Sequence, residues 1–215
     1  QGISIKRGAN INLIGEAEKI LIEAQPSKSF ALKPDNFFSL VPRLMVKVGE
    51  SVAKGTPVFH AKHDPRILFV SPVSGVLKEI RRGSKRKILD IVIENKNDSV
   101  IKHDIKSLRK TDRKTIVEIL LSSGAWPFIK QRPYGILADP DVIPKSIYVS
   151  SCSTAPLGVD FEFLLKNDKD DFQLGIDVLN TLVETPLNLS IDASFSGFLE
   201  NIKGVYILPV DGPHP

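Results

Sequence analysis

Three glycines, Gly49, Gly55 and Gly75, interrupt short apolar runs in Leu44-Met-Val-Lys-Val-Gly-Glu-Ser-Val-Ala-Lys-Gly-Thr-Pro-Val-Phe59 and in Ser71-Pro-Val-Ser-Gly-Val-Leu77. Turn residues this closely spaced leave no stretch of the roughly ten periodic residues a helix needs, and they fold a chain into short strands joined by tight turns. The same texture extends on both sides. Strands are predicted around Phe30–Leu32, Leu44–Val48, Val58–Phe59, Ile67–Val70, Gly75–Ile80 and Ile88–Ile93. Nearer the start, Ile3, Ile5, Ile11 and Leu13 alternate about a break at Gly8-Ala-Asn10 and read as one or two further short strands.

Beyond Glu94-Asn-Lys-Asn-Asp98 the periodicity changes. A Thr111-Asp112 start followed by apolar residues at 116, 117, 119, 120 and 121 predicts a capped helix, which Gly124 ends. Pro127 and Pro133 then make Trp126–Tyr134 irregular. From residue 146, strands at Ile147–Ser150, Leu187–Ile191 and Val205–Leu208 alternate with a helix over Asp168–Glu184 and a short one over Ser194–Glu200. Crossovers of this kind return successive strands in the same direction, so a parallel sheet is expected. The predicted fold class is therefore α+β in two parts: a β-rich unit over residues 1–105, then an incomplete Rossmann-like α/β domain over 106–215. The sheet looks unfinished at Gly212-Pro-His-Pro215, and the chain reads as the N-terminal part of something longer.

Charge divides along the same line. Residues 1–114 hold 23 Lys and Arg against 12 Asp and Glu, and residues 115–215 hold 6 against 13, so the halves carry about +11 and −7. The densest basic run is Arg81-Arg-Gly-Ser-Lys-Arg-Lys87. It can face nucleic acid, lipid phosphates or an acidic protein, or be a solvated hairpin tip; with no aromatic residue interleaved to stack on bases, single-stranded nucleic acid is disfavoured. Cys152 is the one cysteine, which excludes an intrachain disulfide, a Cys-x-x-Cys pair and an iron–sulfur cluster ligated by this chain alone, and points to the cytosol. No apolar run reaches the roughly 18 residues of a membrane helix. The opening Gln1-Gly2 reads as a remnant of processing or of a cleaved tag.

The glycine phrasing resembles that of barrel-sandwich hybrids, the fold of biotinyl and lipoyl carriers. Those carriers present a modified lysine on a hairpin tip, and the corresponding position here is Lys62, where Ala61-Lys62-His63 stands in place of Asp-Lys-Ala or Met-Lys-Met. The scaffold is thus expected without the carrier chemistry. A longer set of phrases carries a more specific resemblance: Ile5-Lys-Arg-Gly8, Ile14-Gly-Glu16, Val46-Lys-Val-Gly-Glu-Ser-Val-Ala-Lys-Gly55, Ser71-Pro-Val-Ser-Gly75, Arg81-Arg-Gly83, Ser123-Gly-Ala-Trp-Pro-Phe128, Arg132-Pro133, Ala138-Asp-Pro140, Thr154-Ala-Pro-Leu157, Asp171-Phe-Gln-Leu-Gly175 and Gly212-Pro-His-Pro215. In this order they are similar to the A subunits of bacterial sodium-translocating NADH:quinone oxidoreductases, the NqrA family.

That resemblance implies a peripheral subunit on the cytoplasmic face of the inner membrane, partnered with the other subunits and associated with ubiquinone or menaquinone. NADH, the flavins and the iron–sulfur cluster would be handled by other subunits, with no cofactor bound by this stretch, no nucleic acid as partner and membrane association through partners only. The family is related in turn to flavin- and NADH-binding subunits of complex I, whose glycine-rich loop corresponds to Ser122-Ser-Gly-Ala-Trp-Pro127 here. One glycine, a bulky Trp and a Pro lacking an N–H make a poor phosphate cradle, so the nucleotide site is expected to be lost.

The candidate site residues are Trp126, Phe128, Arg132 and Tyr134, which can line a quinone cleft; Trp126 and Phe128 can instead plug the former nucleotide groove or pack beneath the interdomain loop. His60, His63 and Asp64 have metal-ligating side chains but lack third and fourth partners nearby, and no metal site is expected. Cys152 follows a strand end without a nucleophile elbow and reads as an inert thiol. His214 is a possible proton donor on a ligand loop, or part of a frayed tail. No catalytic residue is assigned. The alternatives are a carrier domain modified at Lys62 and a flavin- or NADH-binding electron-entry subunit.

Overall fold

The computed structural model describes residues 2–10, 13–15, 18–103, 108, 112–155, 157–194 and 197–214. Readings that rest on Ile11, Glu16, Thr111, Pro156, Phe195, Ser196 or Pro215, and the expected boundary at 105, lie outside them. Strand β1 (Ile3–Ser4) opens the chain. The strands of the next stretch are β2 (Ser29–Leu32), β3 (Pro42–Leu44), β4 (Ser51–Val52), β5 (Pro57–Ala61), β6 (Leu68–Val70), β7 (Ser74–Arg82) and β8 (Ile88–Asn97). Helix α1 (Arg113–Ser122) and the hairpin of β9 (Lys130–Gln131) and β10 (Ile136–Leu137) follow. The last part holds β11 (Tyr148–Ser150), α2 (Phe161–Leu164), α3 (Lys169–Asn180), β12 (Leu187–Asp192) and β13 (Val205–Asp211).

Contacts gather the chain into two compact units, residues 24–142 and residues 1–23 with 143–215. In the first unit two antiparallel sheets, β2-β8-β7-β4 and β3-β5-β6, make the barrel-sandwich arrangement. Val58, Phe59, Ala61, Phe69, Leu77, Ile91 and Ile93 are buried in it, and the Phe59 and Phe69 rings stack with centroids 4.5 Å apart. The strand expected over Leu44–Val48 lies earlier, at Pro42–Leu44, and shares only Leu44 with the expected range. Met45 N–H still donates to Val58 O, but the Glu50 carboxylate then accepts from Lys47 N–H at 3.0 Å and Gly49 adopts φ +92°, turning the chain early into β4. The stretch Trp126–Tyr134, expected to be irregular, forms a short 3-10 turn at Trp126–Phe128 and the β9–β10 hairpin, with a cis Arg132–Pro133 bond.

Helix α1 is capped by Asp112, whose carboxylate accepts from Thr115 N–H at 3.1 Å and from the Thr115 hydroxyl at 2.9 Å. Contacts thus place α1 and the hairpin with the sandwich, whereas the sequence pattern groups them with the residues that follow.

In the second unit the sheet runs β1-β13-β12-β11, every pairing parallel. Strand β12 alternates cleanly, with Leu187, Leu189 and Ile191 buried; Leu189, Ile191 and Leu199 form a core against which Phe161, Phe172 and Phe198 pack. Helix α3 stops at Asn180 rather than at Glu184. The Asn180 side chain is the reason: its Oδ1 accepts from Leu187 N–H at 3.2 Å and its Nδ2 donates to Gly204 O at 2.9 Å, while Pro186 disfavours helix in the residue before it. Helix α2, which the sequence pattern does not announce, is capped by Asp160 accepting from Phe163 N–H at 3.0 Å. The short helix expected over Ser194–Glu200 is a 3-10 turn at Phe198–Asn201.

Candidate functional site

The sandwich unit contains an open cavity of about 480 Å³ lined by Phe38, Ser39, Val41, Lys62, His63, Ile136 and Leu137. Two features of the local sequence build it. Pro34 starts a 3-10 turn and Ser39 sits in the left-handed region at φ +64°, so Phe38 is turned outward and stands 70% exposed while Phe37 packs edge-on against Phe69 with centroids 4.7 Å apart. Strand β5 ends at Ala61, and Lys62 N–H donates to Val41 O at 2.9 Å, which holds the β5–β6 turn beside the Phe38–Val41 segment. The opposite wall comes from β10. A mostly apolar slot with two adjacent cationic or neutral donors is the chemistry that holds a flat, carbonyl-bearing ring.

Arg66 fixes the same turn. Its Nη2 meets Asp64 Oδ2 at 2.7 Å and Asp141 Oδ2 at 2.8 Å, while Nη1 meets Asp141 Oδ1 at 2.9 Å. The Arg66 hydrogen bonds hold both carboxyls below the ordinary carboxylate range, and the paired carboxylates raise the Arg66 guanidinium further. A depressed folded-state value means the clamp's contribution is complete above about pH 4 and is lost as pH falls through the lowered values. Asp141→Asn is therefore expected to lower Tm at pH 7 by a small amount, since the pair is solvent-exposed, and the gap to the parent is expected to narrow as pH falls through the lowered carboxyl values in thermal melts. A gap that persists unchanged at acid pH would remove the linkage.

Trp126 is 3% exposed, and its indole N–H donates to Ala138 O at 2.8 Å. Phe128 lies 75% exposed with its ring 6.2 Å from that of Phe37, and Arg132 and Tyr134 stand exposed on the turn between β9 and β10. None of these four lines the cavity; the hairpin that carries Arg132 and Tyr134 supplies Ile136 and Leu137 instead. Sequence reasoning singles out Lys62 and His63 for other chemistry, and misses Phe38, Ser39, Val41, Ile136 and Leu137. The first three are signalled by an unpunctuated, mostly apolar run, Phe37-Phe-Ser-Leu-Val41, between Pro34 and Pro42; Ile136 and Leu137 carry no such signal.

Lys62 is exposed at the start of the β5–β6 turn, the place a carrier lysine would occupy. His60 Nδ1 lies 2.9 Å from Ala61 O and Asp64 is taken up by Arg66, and among the described residues no three His, Cys, Asp or Glu side chains converge.

In the parallel-sheet unit, Cys152 borders a smaller cavity of about 120 Å³ at the carboxyl ends of β11 and β12. Its three acids are already engaged. Asp160 meets Lys19 at 2.7 Å, which holds its carboxyl below the usual range; Glu162 accepts from Phe198 and Leu199 N–H; Asp192 accepts from Ser194. His214 Nδ1 lies 2.8 Å from the Thr154 hydroxyl.

A β-rich barrel-sandwich hybrid followed by an α/β domain with a parallel sheet is the class of protein this fold defines. Residues 3–96 match the family model described as the NqrA N-terminal barrel-sandwich hybrid domain, and residues 111–215 match that of the NqrA second alpha/beta domain. The chain belongs to the NqrA family. It is 31% identical over 216 aligned residues to the Na(+)-translocating NADH-quinone reductase A subunit of Pseudomonas aeruginosa PAO1, and 30% identical to the A subunits of Histophilus somni strain 2336 and Neisseria meningitidis FAM18. Each alignment takes in 99% of this chain and 48% of the relative, so the chain spans about half the length of the curated relatives it matches.

Proposed function

We propose that this chain acts as the N-terminal part of the A subunit in a sodium-translocating NADH:quinone reductase, at the cytoplasmic face of the membrane, partnered with the other subunits and contributing to their assembly. Its two domains on this reading are residues 1–105 and 106–215, as the sequence pattern divides them. It associates with the membrane complex without spanning it, in keeping with the absence, among the described residues, of any helix long and apolar enough to cross a bilayer. Redox cofactors belong to its partners, and its own share of electron transfer is to hold a quinone ring.

One observation carries the quinone reading: the cavity lined by the Phe38–Val41 segment and β10 together with the adjacent residues Lys62 and His63. Phe38, Val41, Ile136 and Leu137 supply the faces of the slot. Lys62 and His63 supply donors for one carbonyl oxygen, and negative charge arriving on that oxygen would be met by the lysine ammonium. The four residues singled out from the sequence act around this slot without lining it, Trp126 from the interior, Phe128 from the surface of the 3-10 turn, and Arg132 and Tyr134 from the β9–β10 turn.

Isothermal titration of the chain with ubiquinone-1 tests this. Lys62→Ala with His63→Ala is expected to weaken binding about tenfold, and Val41→Trp, which fills the slot, to abolish it. Heat identical for parent and Val41→Trp would sink the assignment. Intact mass and visible absorbance on the same sample address the rival readings, since an adduct on Lys62 would make the chain a carrier and bound flavin would make it an electron-entry subunit.

A further inference from the structure

The hairpin between β7 and β8 ends in a turn that its own sequence does not favour. Gly83 N–H donates to Lys87 O at 2.8 Å and Lys87 N–H to Ser84 O at 3.1 Å, with Lys85 (φ 53°) and Arg86 (φ 60°) both left-handed. This is the tight turn for which Asn-Gly is the relaxed choice, and each ordinary L-residue held in that region is strained. The two positions that would be relaxed by short residues instead carry long cations.

The surrounding charges do not account for the choice. Arg81 is paired with Glu79 and Lys87 with Asp35, and the Arg82 guanidinium donates to Arg86 O. Lys85 and Arg86 meet no carboxylate among the described residues, and both are exposed at the apex. The compact unit around them is itself basic, with 22 Lys and Arg against 12 Asp and Glu in residues 24–142. Strain kept at an exposed pair of unpaired cations marks those side chains as the functional part of the turn.

We infer that this hairpin tip rests on the anionic headgroups of a lipid bilayer, with Lys85 and Arg86 as its phosphate contacts. The choice of lipid rests on the function proposed above, because a sodium-translocating complex sits across a membrane. The tip has no aromatic residue to stack on bases, which argues against single-stranded nucleic acid, and the duplex alternative is left to the test below. Each Lys or Arg near an anionic surface strengthens attachment, and the effect fades within a Debye length, so contact is confined to a tip that reaches the headgroups.

Sedimentation with phosphatidylcholine vesicles containing about 30% phosphatidylglycerol tests the inference, using the chain and the double variant Lys85→Asn, Arg86→Gly. The parent is expected to partition onto these vesicles and not onto pure phosphatidylcholine, and the double variant to bind at least about tenfold more weakly. Because Asn-Gly relaxes the turn, the variant's Tm is expected to equal or exceed the parent's, which separates lost binding from lost folding. Equal partition of the two proteins, a Tm that falls in the variant, tighter binding to a random DNA duplex than to the vesicles, or displacement by millimolar inorganic phosphate would each overturn it. Ubiquinone-1 titration reports on the family-based reading independently, so failed vesicle binding with intact quinone binding removes this inference alone.

Discussion

Gly75→Ala is expected to unfold the sandwich unit. Gly75 is buried in β7, and a Cβ built on it would lie inside the van der Waals shell of the Glu94 carbonyl oxygen, 2.8 Å from the carbonyl carbon of Glu94 and 3.1 Å from the backbone nitrogen of Lys96. All of these are main-chain atoms of β8, the strand with which β7 makes its longest pairing. A flexible side chain could swing away from such an intrusion, but a paired strand can yield only by breaking the ladder. The register already shifts between Ser74 and Gly75, and the missing side chain lets β8 pass close to the Gly75 Cα there. A cost of about 3 kcal/mol or more is expected, a large share of the total stability of a small domain. Urea unfolding monitored by circular dichroism would read it as a lower midpoint, or as loss of soluble protein. A midpoint within error of the parent would show that β7 and β8 separate freely at this point, contrary to the packing described.

The same glycine shows how much of the fold can be read from sequence. Gly49 and Gly75 mark a short-stranded unit, and the alternation of Leu187, Leu189 and Ile191 marks the parallel sheet, because backbone punctuation and side-chain period are local properties. Elements held by distant partners are illegible. Helix α3 ends where Asn180 reaches Leu187 and Gly204, and β1 is a strand only because β13 lies beside it.

The cavity is harder still. Lys62 and His63 stand out as chemistry-bearing residues, but their neighbours Ile136 and Leu137 arrive from more than seventy positions away through the β9–β10 hairpin. No spacing within either segment encodes that meeting. Trp126, an aromatic next to Pro127, admits either a cleft wall or a packing role from its type alone, and its burial and its bond to Ala138 O are what bear on the choice.

Trp126→Ala is expected to be nearly as damaging as the glycine replacement, at about 3–5 kcal/mol. The indole is buried at the end of α1 and donates to Ala138 O, so it joins the helix terminus to the segment that follows the hairpin. Removing it leaves a void of aromatic size and a carbonyl without its donor. Trp126→Phe keeps most of the volume and is expected to cost about 1–3 kcal/mol for the lost hydrogen bond. These two variants also decide the residue's role. If Trp126 is a support, Tm falls in the order parent, Phe, Ala, while folded Trp126→Phe binds ubiquinone-1 as the parent does in calorimetry below its Tm. If it is instead a face of the quinone slot, Trp126→Phe loses affinity with little change in Tm. The indole is buried and bonded to Ala138 rather than set among the residues that wall the cavity, and the first outcome is the one expected.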